Sequence, residues 1–124
     1  MAVYEETGGA QQRIIQELVP GRQITLAHII ASPDEVLYTK LGLNPAKDRG
    51  VSAIGVMTIS PAETAIVIAD VATKASGAEL GFVDRFSGSL IITGTVSEVE
   101  ASTEAVLDYC RDRLGFAVCP VTKT

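Results

Sequence analysis

The sequence predicts an α+β fold: a small, mostly antiparallel sheet with helices packed on it, an α/β sandwich. Two observations carry this. Apolar runs rich in β-branched residues, each of strand length, occur at Gln23–Ile30, Val51–Ser60, Glu79–Asp84 and Ser89–Thr95. Segments of helical period lie between and after them, opening on Ser-Pro-x-Glu or Ser-x-x-Glu and closing on Gly. With a short strand at each end of the chain the order reads β-β-α-β-α-β-β-α-β. The 124 residues suit one domain, 13–124, behind a tail, 1–12, that is polar, contains Gly8-Gly9 and has no periodicity.

Taken in order, Arg13–Val19 alternates as a short strand with apolar residues on both sides, so it has no obvious solvent face, and Pro20-Gly21 turns the chain. Gln23–Ile30 is a second strand with Ile24, Leu26, His28 and Ile30 on one face. Ser32-Pro33-Asp34-Glu35 opens a short helix that stops at Gly42, and Leu43–Gly50 is a surface connection. After the strand Val51–Ser60, the stretch Ser60-Pro61-Ala62-Glu63 reads as a capping box with Pro61 in the first helical position. Its helix runs to about Ser76, with Gly77 as a left-handed stop. The hairpin Glu79–Asp84, Ser89–Thr95 turns through Arg85-Phe86-Ser87-Gly88. A third box, Ser97-Glu98-Val99-Glu100, opens a helix to Leu114 stopped by Gly115. Its inner stripe is Val99, Val106, Tyr109, Cys110 and Leu114, and Phe116–Thr124 closes the chain with a short strand.

The helix after Ser60 is unusual. Its charges, Glu63, Asp70 and Lys74, form one narrow stripe, and nearly everything else is Ala, Ile, Val or Thr. Such a helix belongs in a buried setting, and a chain this short has few elements to cover it. Other copies of the protein are the expected cover; internal packing of Val67 and Ile68 is the alternative. Hydrophobic residues make up 47 % of the chain against 20 % charged, which again points to surface lost in association.

Several function classes are excluded or unsupported. The net charge of −5 and the lack of a Lys/Arg patch argue against nucleic acid. No apolar run reaches membrane-spanning length and no basic, apolar leader opens the chain, so a cytoplasmic location is expected and no membrane partner. Cys110 and Cys119 lack metal or redox spacing and read as buried or half-buried free thiols. His28 is the single histidine, which leaves no zinc set and no Cys/His nucleophile pair, and it reads as a histidine hydrogen-bonded beside the core. Gly77–Phe82 lacks the spacing of a phosphate loop. Glu104, Asp108 and Arg111 read as a solvated helix face. No catalytic residue, cofactor or metal is expected.

The runs I-I-Q-E-L-V-P-G-R-Q-I-T-L-A-H-I-I-A-S-P, S-A-I-G-V-M-T-I-S-P-A-E-T-A and E-L-G-F-V-D-R-F-S-G-S-L-I-I-T-G resemble the circularly permuted shell proteins of bacterial microcompartments, of the ethanolamine-, propanediol- and choline-utilisation types. The resemblance covers Arg13 to Thr124. It implies a permuted BMC fold of ferredoxin-like kind and a homohexameric tile packed with other shell proteins around metabolic enzymes. It places Arg85, Phe86, Ser87, Gly88 and Ser89 at the loop around the six-fold axis and Lys74 at the edge where tiles meet. Ile14, Ile15, Gln16, Glu17 and Leu18 match the strand that each subunit gives to a small β-barrel over the axis. The residues themselves leave Phe86 open as a contact group or as a turn aromatic folded on the core, and Asp84-Arg85 as a turn ion pair or a contact between subunits. A small-molecule-binding or sensor protein with a pocket at Arg85–Ser89 or on the axis is the competing function, and an enzyme using His28 or Asp84 a distant third.

Overall fold

Alternation along β2 (Ser52–Ser60) sends Ala53, Met57 and Ile59 to one face of a sheet and Ile54 and Val56 to the other. One face is fully covered and the other in part, and that decides the layers. The computed structural model describes residues 21–43 and 52–124. The tail 1–12, the strand 13–19 and residues 44–50 of the connection Leu43–Gly50 expected above lie outside the described residues; Leu43 itself is buried and not on the surface.

Among the described residues five strands lie in the order β3-β4-β2-β1-β5, with β1 at Gln23–Ala31, β3 at Glu79–Asp84, β4 at Ser89–Thr95 and β5 at Thr122–Lys123. Neighbours are antiparallel except β1 and β5, where His28 pairs with Thr122 and Ile29 with Lys123 in parallel. On one face pack α2 (Thr64–Ala75) and α3 (Val96–Asp112). Ile68 and Ala72 of α2 and Val99, Val106 and Cys110 of α3 meet Ile29, Met57, Leu90 and Ile92 there. Each fully buried Ile, Leu or Met contributes roughly 1.5–3 kcal/mol relative to exposure. The fit is close: a methyl on Gly55 would lie 2.8 Å from Val99 Cγ1 and 2.9 Å from Ile92 Cγ1. The other face is partly covered by α1 (Glu35–Leu41), whose Tyr38 packs with Leu43 and Ile54. This is the expected sandwich.

All three helix starts differ from the sequence expectation. For α1 the cap is Asp34, whose carboxylate accepts from the Val36 amide at 3.1 Å, while Ser32 takes a positive φ of 50°. For α2 no side chain caps. The Ser60–Pro61 bond is cis, and the first amides are met by a backbone turn, Thr64 N–H to Pro61 O and Ala65 N–H to Ala62 O. For α3 the box is Thr95/Glu98, two residues earlier than expected: the Glu98 amide donates to Thr95 Oγ1 at 3.1 Å and the Thr95 amide to Glu98 Oε1 at 2.9 Å.

Two further expectations are corrected. A bulge between Ile24 and Leu26 inserts Thr25 into β1, so Ile24 joins the helix-covered face and leaves that of Leu26, His28 and Ile30. Gly77 is not a left-handed stop, since α2 ends on extended Ser76. Ser76 Oγ lies 2.9 Å from the Glu98 carbonyl and 2.8 Å from Ser102 Oγ, and Ser102 Oγ donates to the Ala72 carbonyl at 2.7 Å. This hydroxyl cluster satisfies the buried polar groups where α2 meets α3. Gly42 (φ 71°) and Gly115 (φ 70°) are left-handed as expected, although α3 itself ends at Asp112.

Candidate assembly surfaces

The β3–β4 turn is built by Asp84. Its carboxylate accepts the Phe86 amide at 2.9 Å and the Ser87 hydroxyl at 2.8 Å, and the Asp84 carbonyl accepts from the Gly88 amide at 2.9 Å. The Phe86 amide above all, then the Ser87 hydroxyl, holds the Asp84 carboxyl below its ordinary value of 3.8. The Asp84 carboxylate is thus used within the turn and not in an ion pair with Arg85, whose guanidinium lies 5.0 Å over the Phe86 ring. Phe86 is 80 % exposed, which resolves its two readings in favour of a projecting aromatic. Arg85 and Ser87 are exposed with it, Gly88 is buried and Ser89 half-buried.

Gly88 is buried because the turn docks at the start of α2. The Ile59 amide donates to the Gly88 carbonyl at 2.9 Å, and a Cβ on Gly88 would stand 3.2 Å from Ala62 Cα. Lys74 sits at the far end of the same helix, paired with Asp70 at 2.9 Å, both side chains largely exposed. At 1.5 Å per residue, α2 holds the turn and Lys74 roughly 18 Å apart. Between them the outer stripe of α2 presents Ile66, 53 % exposed, and Val67, 43 % exposed; of the two residues offered for internal packing, Ile68 is buried and Val67 is not. The barrel residues Ile14, Ile15, Gln16, Glu17 and Leu18 lie outside the described residues.

Sequence reasoning missed a further exposed pair, Leu80 and Phe82 on the edge strand β3. The signal was Gly81, a lone glycine in an apolar strand run. The register of β3 slips there, pairing Leu80 with Ile92 and Phe82 with Ile91, and a methyl on Gly81 would meet Leu43 Cδ2 at 2.7 Å. An edge strand with exposed apolar groups and no protecting Lys or Pro invites association.

Elsewhere the chemistry-bearing residues are structural. His28 lies between two hydroxyls, Nδ1 2.6 Å from Thr122 Oγ1 and Nε2 3.0 Å from Thr124 Oγ1. Cys110 is buried and Cys119 half-buried, both free, and burial pushes the Cys110 thiol up to about 11. Arg111 pairs with Asp108 at 2.8 Å and Asp112 at 3.1 Å on the wet side of α3. An open cleft of about 580 Å³ lies between α3 and the C-terminal segment, lined by Ile29, Ser97, Glu100, Ala101, Glu104, Val121 and Lys123; none of the Arg85–Ser89 turn contributes to it. Among the described residues no helix is long and apolar enough to cross a membrane.

Comparison with known proteins identifies the family. The BMC domain family model matches residues 53–122. The bacterial microcompartment shell protein CutR of Streptococcus intermedius is 48 % identical over 116 residues, 94 % of this chain and 96 % of that protein. The shell protein PduU of Salmonella typhimurium is 47 % identical over 112 residues, 90 % of this chain and 93 % of that one. Among solved structures, the CutR flat hexamer aligns with a TM-score of 0.77 at 48 % identity, covering 91 % of this chain and 92 % of that chain. A CutR screw form aligns at 0.76 and 47 % identity, covering 85 % and 100 %. The chain belongs to the BMC-domain family and is a structural shell protein of bacterial microcompartments, of the circularly permuted type.

Proposed function

We propose that six copies of this chain form a tile that packs, with other shell proteins, into the cytoplasmic shell around a set of metabolic enzymes. The observation that carries this is the unpartnered apolar surface of a single subunit: Ile66 and Val67 on α2, Leu80 and Phe82 on β3, and Phe86 at the turn. Closed rotational symmetry covers such groups on every copy at once. The hexameric form of CutR, at 48 % identity, supports the same symmetry.

In this reading Arg85, Phe86, Ser87, Gly88 and Ser89 surround the six-fold axis, and Lys74 stands at the tile edge. The length of α2 between the two is consistent with one element reaching from near the axis towards the rim. Ile14–Leu18 gives one strand per subunit to a β-barrel that narrows or closes the axial channel. Electron microscopy of the purified protein tests the tile: flat or curved sheets with a hexagonal repeat are expected. Deleting residues 1–19 is expected to leave soluble hexamers with an open axis. A truncated chain that is monomeric or insoluble would assign that segment to holding subunits together.

A further inference from the structure

Of the described helices α1 is held most lightly. Seven residues do not persist as a helix in water without packing, and Tyr38 is its one buried side chain, against four in α2 and six in α3. Val36 and Leu41 are exposed. The hydrogen bonds at its ends close within the segment: the Val36 amide donates to the Asp34 carboxylate, the Leu37 amide to the Asp34 carbonyl, and the Gly42 and Leu43 amides to the carbonyls of Thr39 and Tyr38. Two local costs attend its docking. The Tyr38 hydroxyl is buried in apolar surroundings and finds no hydrogen-bond partner among the described residues, so it forfeits the bond it makes to water when exposed. Ser32, directly after β1, is held at φ 50° with its amide donating to the Ser52 carbonyl at 2.9 Å, a conformation that residues other than glycine seldom adopt.

We infer that residues 33–43 form a flap, with α1 at its centre, that lifts from the sheet as one piece about Ser32 while the sheet, α2 and α3 stay folded. Its underside is Leu37, Tyr38 and Leu43, and its seat on the sheet is Ile30, Ile54, Val56 and Ile91. Opening returns the Tyr38 hydroxyl to water and frees the Ser32 backbone, against the loss of a few side-chain contacts. The long helices have no such release, since the hydroxyls of Ser76 and Ser102 where they meet are hydrogen-bonded. The seat is also not an isolated patch. Ile91 lies opposite Val56 on one side and opposite the exposed Phe82 on the other, and Ile54 lies opposite Ile30. An open flap therefore extends the apolar strip from Phe82 on β3 across β4 and β2 to Ile30 on β1. The flap sets how much of this face meets solvent, and it is a property of the subunit, independent of the tile.

Amide hydrogen exchange of the full-length protein, read on overlapping peptides by mass spectrometry at a series of low denaturant concentrations, tests the flap. Once corrected for intrinsic rates, the amides of residues 39–43 are expected to share one opening rate that barely responds to denaturant, because little surface is uncovered. Those of β2 and α3 are expected to exchange only with global unfolding, at a rate that climbs steeply with denaturant. Tyr38→Phe removes the unpartnered hydroxyl and keeps the ring, and is expected to slow exchange at residues 39–43 about tenfold. Protection of these amides equal to that of β2, with the same denaturant response, would overturn the flap. So would rates graded from the helix ends inward and unmoved by Tyr38→Phe, which mark fraying. Faster exchange in Tyr38→Phe would show that the hydroxyl has an acceptor and would likewise remove the proposal.

Discussion

A Cβ on Gly88 would stand 2.1 Å from the carbonyl oxygen of Ile59, so the turn that carries Arg85 and Phe86 is seated on the end of β2 with no room for a side chain. Gly88 also holds φ at +78°, where an L side chain is strained by about 1–2 kcal/mol. Gly88→Ala is expected to destabilise the subunit by roughly 2–4 kcal/mol, strain and displaced backbone together. Denaturant unfolding of the two proteins checks this, and an unchanged midpoint would mean that the turn is not seated on Ile59.

Asp84 should leave a mark on the acid limb of stability. Its folded carboxyl titrates below the ordinary 3.8, because the Phe86 amide and the Ser87 hydroxyl favour the charged form. The stability it contributes is therefore fully present above pH 3.8 and is lost as the pH falls through the lower folded value. Asp84→Asn is expected to flatten stability against pH below about 4 and to leave the neutral plateau with only the cost of the altered turn. Unfolding free energies at a series of pH values read this directly.

The two thiols should separate by burial. Cys110, with its thiol pushed up to about 11, is almost wholly protonated at pH 8 and shielded by the core. Alkylation of the folded protein at that pH is expected to modify Cys119 first, with Cys110 reacting only at the rate of unfolding. Mass mapping of the modified peptides distinguishes the two, and equal labelling would contradict the packing of α3 on the sheet.

Lys74 has a local partner and a proposed distant one, and the two can be told apart. The Asp70–Lys74 pair is solvent-exposed at i, i+4 and contributes a few tenths of a kcal/mol. Lys74→Ala is thus expected to leave subunit stability within about 0.5 kcal/mol and the hexamer intact, while sheets seen by electron microscopy become sparse or disordered. Sheets as extensive as before would remove Lys74 from the tile edge.

Much of this was legible from residue order. The limits of β3 and β4, the left-handed Gly42 and Gly115, the bonded His28 and the free cysteines follow from local pattern, which holds where strand runs are flanked by clear turn residues. Helix starts were not. Thr95-x-x-Glu98 and Ser97-x-x-Glu100 overlap, and the box adopted is the one that begins where β4 ends, a choice made by the sheet and not by either hydroxyl. Likewise the bulge at Thr25 moves Ile24 across the sheet, and the slip at Gly81 puts Leu80 opposite Ile92 and Phe82 opposite Ile91, on different faces. Bulges answer to cross-strand pairing, which a single strand's alternation does not encode. Gly77 was misread for a related reason: its close neighbour is Glu98 of another helix, whose Oε2 would lie 2.3 Å from an added Cβ.

Solution mass decides the remaining matter, whether this subunit is made to stand alone. Analytical ultracentrifugation or native mass spectrometry at micromolar concentration should find a species of six times the 13.0 kDa chain, persistent in moderate salt because its contacts are largely apolar. A single species at 13.0 kDa across concentration and salt would leave Ile66, Val67, Phe82 and Phe86 permanently in water, and would contradict the account.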